Sequence, residues 1–577
     1  MDTLATPSPH QCARHIVEAF ARYNAEFRAI TRRAPQRFDT RDWRGSQRDA
    51  VERIELYDGF VNQTIAALRI ELGAQAADRS LWQRIHREFA TQIVALPDPE
   101  FTKTFFSSIS RRLFGTVGVA PDIEFVATDL DPLADIHSAI GTNTYLNHGS
   151  LALLIEDLLG DLRFRSPWRD LDTSIAHVAG EVRSYLQARG ERRAVERVEV
   201  IRAVFYQMHR AYIVGRILGR DFLVPLVIAL KNTDSGVLVD AVMLAEADVS
   251  IVFSFTRSYF HADLERVAEA VVFLRSLMPR KPVSELFTVL GRARQGKTER
   301  YRELQRNLER THDLFVHAAG ERGLVMVCFT LPSFDVVFKV IRDRFAYPKT
   351  MLREEVMAKY RLVFIHDRAG RLVDAQEFRR LRFPRARFAP ELLDELRRET
   401  AGTVHEDGAD LVFDHLYIER RMTPLNLYLR QAQAGNAERA VLDYGQCIRD
   451  LAYTNIFPGD LLLKNFGVTR NGRVIFYDYD ELCRVTDCNF RDVPPPTHEE
   501  DEMRGEAWFY VADNDIFPET FLNFLGFTDE QRAALLRVHG EILTANFWRG
   551  VQHRLSEGEV LEVLPYHPHR VRVASSL

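Results

Sequence analysis

The sequence predicts an α+β protein in which residues 1–312 are mostly helical and residues 313–577 open on strands and close on helices. Three observations carry that expectation. Apolar stripes at helical spacing fill the first half. Paired apolar runs broken by a turn begin soon after residue 312. No internal repeat or low-complexity linker separates the two halves.

The first helix follows from Ser8-Pro9, an N-cap with proline at the first helical position, ahead of Ile16, Phe20, Tyr23, Phe27 and Ile30 at spacings of three and four. Pro35 is expected to close it. A second stripe, Leu264, Val267, Val271, Leu274 and Met278, starts at Asp263 and stops at Pro279. Both read as core-facing helices. The stretch Val237–Phe260 is richer in β-branched residues, and Ser250–Phe255 fits a strand. In the second half, Leu324–Val340 is two apolar runs split by Pro332-Ser333, an antiparallel hairpin. Leu411–Ile418 is another strand candidate, and Phe466–Thr469 and Arg473–Tyr477 flank Asn471-Gly472, a strong hairpin turn signal.

Composition narrows the function classes. Lys plus Arg is 76 against 81 Asp plus Glu, a net charge of −5, so the basic excess of a nucleic-acid binder is missing. The longest apolar stretch, Phe222–Leu230, contains Pro225 and falls well short of the roughly 20 residues a membrane span needs. Cys12, Cys328, Cys447, Cys483 and Cys488 form no C-x-x-C pair and lack histidines at zinc spacing, which suits reduced thiols in a cytoplasmic protein. The N-terminal residues carry no apolar signal-peptide core.

Three segments are candidates for chemistry. Gly291-Arg-Ala-Arg-Gln-Gly296-Lys297-Thr298 fits G-x-x-x-x-G-K-[ST], the phosphate loop of nucleotide hydrolases. Such a loop lies between a strand and a helix. Here Val283, Leu286, Phe287 and Leu290 are spaced as one helix face, so a helix–turn–helix junction with Gly291 as C-terminal cap is the preferred reading, and a P-loop NTPase using Lys297 is the alternative. The acidic run Glu499–Glu502 after Val493-Pro-Pro-Pro496 reads as a solvated face rather than a docking site.

The remaining constellation is spread over a longer stretch. Asp460-Leu-Leu-Leu-Lys-Asn465 places a carboxylate and an amide five residues apart, and Asp478 follows at the end of the Asn-Gly hairpin. Protein-kinase-type phosphotransferases need these parts in this order: an aspartate at the substrate hydroxyl, then an asparagine and an aspartate for metal. Lys339 in Val-Val-Phe-Lys-Val compares with the strand lysine that pairs the α- and β-phosphates, and it follows a glycine-bearing turn at Gly320 and Gly323. Glu419-Arg-Arg-Met422 fits a hinge entering the helix after Pro424. The departures are Pro-Gly-Asp for H-R-D, Asp478-Tyr-Asp480 for D-F-G, and no A-P-E segment. A catalytically dead pseudokinase scaffold is a second alternative, which the retained Lys339, Asp460, Asn465 and Asp478 argue against.

Four segments, Asn455–Val468, Val474–Glu481, Asn489–Pro496 and His415–Met422, closely resemble the bacterial isocitrate dehydrogenase kinase/phosphatase family, and the likeness runs through nearly the whole chain. The resemblance implies a helical regulatory domain responding to AMP and a bilobal protein-kinase-like domain. It implies ATP and Mg²⁺ or Mn²⁺ as cofactors, and isocitrate dehydrogenase as the protein substrate. Phosphorylation of a serine would inactivate that enzyme and divert isocitrate into the glyoxylate bypass. The family's ATP-binding stretch falls on Ala318, Ala319, Gly320, Glu321, Arg322, Gly323 and Leu324, with Lys339 as a further contact, and Glu419, at the start of the hinge, is also expected to bind the nucleotide. Asn465, Asp478 and Asp480 are the expected metal ligands, and Asp460 a catalytic residue. The family's active-site aspartate falls on Asp374, which composition alone marks as an ordinary helix-start residue.

Overall fold

The computed structural model describes residues 7–126, 133, 136, 139–190, 194–254, 259–347, 349, 351–495 and 509–567. The acidic run Glu499–Glu502 lies outside them. The chain divides into two compact units, one holding residues up to His312 with Arg380–Phe383 and the segment from Tyr566, the other Asp313–Arg379 with Pro384–Pro565.

In the first unit, the helices Pro9–Thr31, Trp43–Leu72, Arg79–Gln92 and Pro99–Phe114 share one apolar core. Ser8 caps the first through a reciprocal bond pair with Gln11, and Ile16, Phe20, Tyr23, Phe27 and Ile30 are its buried face. That helix ends at Thr31, and Pro35 instead opens the next short helix, Ala34–Asp39, where its missing N–H costs nothing.

A six-stranded antiparallel sheet follows: β1 (Thr142–Leu146), β2 (Arg197–Ile201), β3 (Phe205–Gln207), β4 (Arg210–Leu218), β5 (Leu223–Thr233) and β6 (Gly236–Met243), in the order β1-β2-β4-β5-β6 with β3 on β4. Pro225 lies where β5 runs past the end of β6, so one side of it has no partner strand to satisfy. The unit is mostly helical, as expected, but of this sheet only β6 lay in a stretch that looked β-rich. Ser250–Val252 is not a strand: Glu246–Val252 is a buried helix, its β-branched residues serving the core, while Phe255 lies outside the described residues. The stripe beginning at Asp263 becomes helical only at Val267; ahead of the helix, Asp263 pairs with Arg28 and Arg32.

The second unit has two layers of different character. Its sheet is built from β7 (Val316–His317), β8 (Met326–Leu331), β9 (Phe334–Ile341), β10 (Gln376–Pro384, whose residues Arg380–Phe383 count with the first unit), β11 (Val404–Asp407) and β12 (Asp410–Arg420), ordered β10-β12-β9-β8-β7 with β11 on β12. The hairpin at Pro332-Ser333 and the strand over Leu411–Ile418 are both present. The chain then passes through β13 (Thr423–Pro424) and the helix Leu425–Gln431 into the helix Ala434–Tyr453. Val441, Tyr444, Ile448 and Leu451 of that helix are fully buried. The hairpin β14 (Phe466–Val468) and β15 (Val474–Phe476) turns at Gly472, whose φ of +77° suits the left-handed turn position.

Candidate active site

The strand layer and the helical layer of the second unit face each other across a cavity of about 230 Å³. Its walls carry Ala318 to Leu324, Lys339, Glu419, Asp460, Asn465, Asp478 and Asp480. Residues as far apart in sequence as Ala318 and Asp480 therefore converge as the spacing argument required.

Each arrives on an element whose local structure is dictated by sequence. Lys339 sits on β9 with 6% of its surface exposed; its Nζ lies 2.9 Å from Glu419 Oε2 and donates to the Tyr477 carbonyl at 2.7 Å. Glu419 is on the neighbouring strand β12, where Val337 and Glu419 are cross-strand partners, so the lysine and glutamate share one face of the sheet. In protein kinases the partner glutamate comes from a helix. Here the helix Arg353–His366 contributes Tyr360, which stacks on Tyr417 of β12 at 3.9 Å.

Asp460 follows the Asn455–Gly459 turn. Gly459 has φ +81°, and a Cβ there would lie 2.6 Å from the Glu481 carbonyl, so only glycine allows the loop to pass the Asp478–Glu481 segment. The loop is held by Tyr444, which donates to the Leu461 carbonyl at 2.6 Å, and by an Asx turn in which Leu462 N donates to Asp460 Oδ1 at 2.9 Å. The hairpin that delivers Asp478 is fastened to the same helix by Arg371. Its guanidinium, 1% exposed, donates to both oxygens of Asp443, to Asp450 at 2.7 Å and to the Val474 carbonyl at 2.9 Å. Burial would raise the Asp443 carboxyl, yet Arg371 holds it at about 2.

The electrostatics show more buried negative charge than the lysines balance. Burial and the Asp478 charge push Asp480 up to about 8. Asp478 is raised by burial even though Lys339 and Lys349 oppose it. Burial lifts Glu419 to about 6 against the pull of Lys339, with Asp478 and Asp374 adding to the rise. Lys339 is itself raised: burial opposes its charge, but Glu419 and Asp478 favour it. Asp480 Oδ1, Glu419 Oε1 and Asn426 Oδ1 are buried with no hydrogen-bond partner. Orphaned oxygens beside like-charged carboxylates fit a bound cation. Among the described residues no three His, Cys, Asp or Glu side chains form a closed metal cage, so such a cation would share its coordination with the Asn465 amide and with ligand oxygens.

Asp374 stands outside this wall. It does not start a helix: it precedes β10 and its Oδ2 accepts from Gln376 Nε2 at 2.9 Å. Val373 beside it receives the Tyr479 hydroxyl at 2.7 Å, which keeps Asp374 next to the Asp478–Asp480 segment and near enough to act on Glu419. Sequence reasoning assigned no role to Lys349, Lys464 or the Arg342–Glu395 pair, all of which line the cavity. Lys464 pairs with Glu321 at 3.1 Å, joining the glycine turn to the Asp460–Asn465 loop. Its position beside Asn465 was the available signal; Lys349, paired with Glu481, had none.

The Gly291–Thr298 segment forms no cradle. Gly291 has φ +87° and joins the helix Val283–Val289 to the helix Ala293–Arg310, which contains Gly296, Lys297 and Thr298. A Cβ on Gly296 would lie 2.4 Å from the Ser284 carbonyl and 2.2 Å from Thr288 Oγ1, so this glycine serves helix packing.

Residues 313–568 match the sequence model of the isocitrate dehydrogenase kinase/phosphatase (AceK) kinase domain, and residues 13–312 that of the regulatory domain of the same proteins. An isocitrate dehydrogenase kinase/phosphatase of Anaeromyxobacter sp. (strain Fw109-5) is 49% identical over 554 residues, 96% of each chain. One of Xanthomonas euvesicatoria pv. vesicatoria (strain 85-10) is 48% identical over 560 residues, 97% of this chain and 96% of its own. With a lysine–glutamate pair, an aspartate loop and an acidic hairpin end lining one cavity, and relatives matched over 96% of this chain or more, the chain belongs to the isocitrate dehydrogenase kinase/phosphatase family.

Proposed function

We propose that this chain transfers the γ-phosphoryl group of ATP to a serine of isocitrate dehydrogenase and also hydrolyses that phosphoserine, so controlling flux between the citric acid cycle and the glyoxylate bypass. The observation that carries the reading is the convergence of Lys339, Glu419, Asp460, Asn465, Asp478 and Asp480 on one cavity. Lys339 neutralises the α- and β-phosphates, oriented for it by Glu419. The Ala318–Leu324 turn, on the cavity wall, covers the phosphates, and the hinge after Glu419 receives the base. Asp460, raised by burial with the Glu481 and Asp478 charges adding to it, takes the serine proton. Asn465, Asp478 and Asp480 hold Mg²⁺ or Mn²⁺, which when bound neutralises charge on the phosphoryl oxygens. For hydrolysis, Asp374 orients a water toward phosphoserine with nucleotide still in place. The 1–312 part acts as the regulatory domain and takes AMP as its effector.

The test is incubation with purified isocitrate dehydrogenase and γ-labelled ATP, then removal of ATP. Label is expected to enter the dehydrogenase and then leave it. In Asp460→Asn, Mg-ATP binding should persist while label transfer slows by orders of magnitude. A wild-type chain that binds ATP but transfers no label would support a pseudokinase scaffold, and full turnover in Asp460→Asn would reduce that residue to turn chemistry.

A further inference from the structure

Two thiols in the second unit lie against each other on the segment that follows Asp480. Cys483 Sγ and Cys488 Sγ are 3.5 Å apart, separated in sequence by the short helical turn Val485–Asp487. Cys483 is partly exposed and Cys488 is buried. We propose that Cys483 and Cys488 are a redox modification site, forming a reversible disulfide in the folded protein under peroxide.

The geometry is nearly complete. A disulfide needs sulfurs about 2.05 Å apart, so closing the gap takes about 1.5 Å, drawn from the Cys483 end of the turn as well as from its side chain. Other cysteines are poorly placed for the same chemistry. Burial pushes the Cys12 thiol up to about 11, and those of Cys328 and Cys447 up to about 12. Cys483 is the reverse case: its hydrogen bond with Cys488 holds it below the ordinary thiol range and raises Cys488, so Cys483 is the sulfur that meets the oxidant and Cys488, in contact with it, the one that resolves.

The reaction balances with hydrogen peroxide as oxidant. The Cys483 thiolate attacks one peroxide oxygen and the O–O bond breaks. The departing hydroxide takes up the proton the thiol has released and leaves as water, so Cys483 becomes a sulfenic acid. The Cys488 thiol then attacks the sulfenic sulfur, the S–S bond forms, and a second water leaves with the Cys488 proton. Two electrons pass from the thiols to the peroxide, and a dithiol reductant reverses the change.

The site is mechanically coupled to the cavity. Cys483 and Phe457 exchange both backbone hydrogen bonds, at 2.8 and 3.0 Å, three residues before Asp460. Asn455 Oδ1 accepts from Thr486 N at 3.1 Å, bracing the same turn against the same loop. On the other side Gln552 Nε2 donates to the carbonyls of Val485 and Cys488 at 2.8 and 2.7 Å. Pulling Cys483 toward Cys488 therefore displaces the strut between the Asp460 loop and the Asp478–Asp480 segment, and both phosphoryl reactions fall together.

Non-reducing peptide mass spectrometry of the peroxide-treated full-length chain reads the covalent step without reference to any activity. The expected product is one Cys483–Cys488 linked peptide, about 2 Da lighter than the dithiol, restored by dithiothreitol. C488S should give no link and accumulate sulfenic acid at Cys483, while keeping wild-type label transfer in reducing buffer and resisting inactivation by peroxide through the bridge. Absence of the link while Cys12, Cys328 or Cys447 oxidises overturns the site. Formation of the link with label transfer unchanged overturns the coupling. The first outcome does not depend on whether the proposed substrate is correct, because the link is scored by mass; the second rests on the proposed function and is read only once wild type is seen to transfer label.

Discussion

Gly291–Thr298 matches a phosphate-loop pattern at every specified position yet folds as a turn and a helix, whereas Asp460–Asp480 departs from the kinase pattern at H-R-D and D-F-G yet lines a cavity. The difference is in what precedes each segment. A strand of two apolar faces would have left the glycines free to wrap an anion, but Val283–Val289 is a helix, so Gly291 terminates it and Gly296 becomes a packing contact. Before Asp460 stands the long buried helix Ala434–Tyr453, and after it a hairpin; these place a carboxylate, an amide and two acids around one space whatever the intervening letters. Phosphoryl chemistry is specified by positions in space, and letters are evidence only through the backbone they imply.

The largest effect is expected at Asp478. If one acidic hairpin end serves both reactions, Asp478→Ala abolishes phosphorylation of the dehydrogenase and release of phosphate from the phosphorylated form together, at an unchanged thermal melt. A variant that loses the kinase reaction but hydrolyses phosphoserine at the wild-type rate would place hydrolysis elsewhere.

Arg371 tests whether the helix-to-hairpin fastening holds the site in shape. Arg371→Met leaves the buried Asp443 and Asp450 with only Arg473, 3.9 Å from Asp450, as counter-charge, and removing one partner of a buried ion pair generally costs about 3–5 kcal/mol. The denaturant midpoint should fall accordingly. A change under about 1 kcal/mol would mean that hairpin position is set by apolar packing alone.

Asp480 predicts a pH dependence. With its carboxyl raised to about 8, the empty site holds a proton at neutral pH, and a cation must displace it. Apparent Mg²⁺ affinity should therefore rise by up to about tenfold per unit from pH 6 to 8 and flatten above. Calorimetry in buffers of different ionisation enthalpy counts the released proton. Binding that releases none would assign Asp480 a role other than ligand.

Much of the second unit could be read from residues alone, because its signals are local: Pro332-Ser333 between apolar runs, the apolar run Leu411–Ile418, and Asn471-Gly472. The six-stranded sheet of the first unit was largely hidden, since strands such as β4 and β5 are buried along most of their length and show no period-two alternation. Ser250–Val252 was misread for the opposite reason, β-branched residues being used in a buried helix. In the site, Lys339 and Asp460 were legible from order along the chain. The Lys339–Glu419 pairing across β9 and β12, and Lys349 opposite Glu481, depend on register and loop path, which no linear spacing records. Asp374 was visible only through family resemblance; its neighbours explain its place but no motif announces it.

The central claim, that the nucleotide belongs to the cavity of the second unit and not to the Gly291–Thr298 junction, is tested most directly by titrating ATP into two variants. Lys339→Ala removes a charge-assisted phosphate contact and should weaken binding by about 1.5–3 kcal/mol. Lys297→Ala, within the helix Ala293–Arg310, should leave affinity unchanged. Binding lost in Lys297→Ala and kept in Lys339→Ala would contradict the account and establish the phosphate-loop alternative.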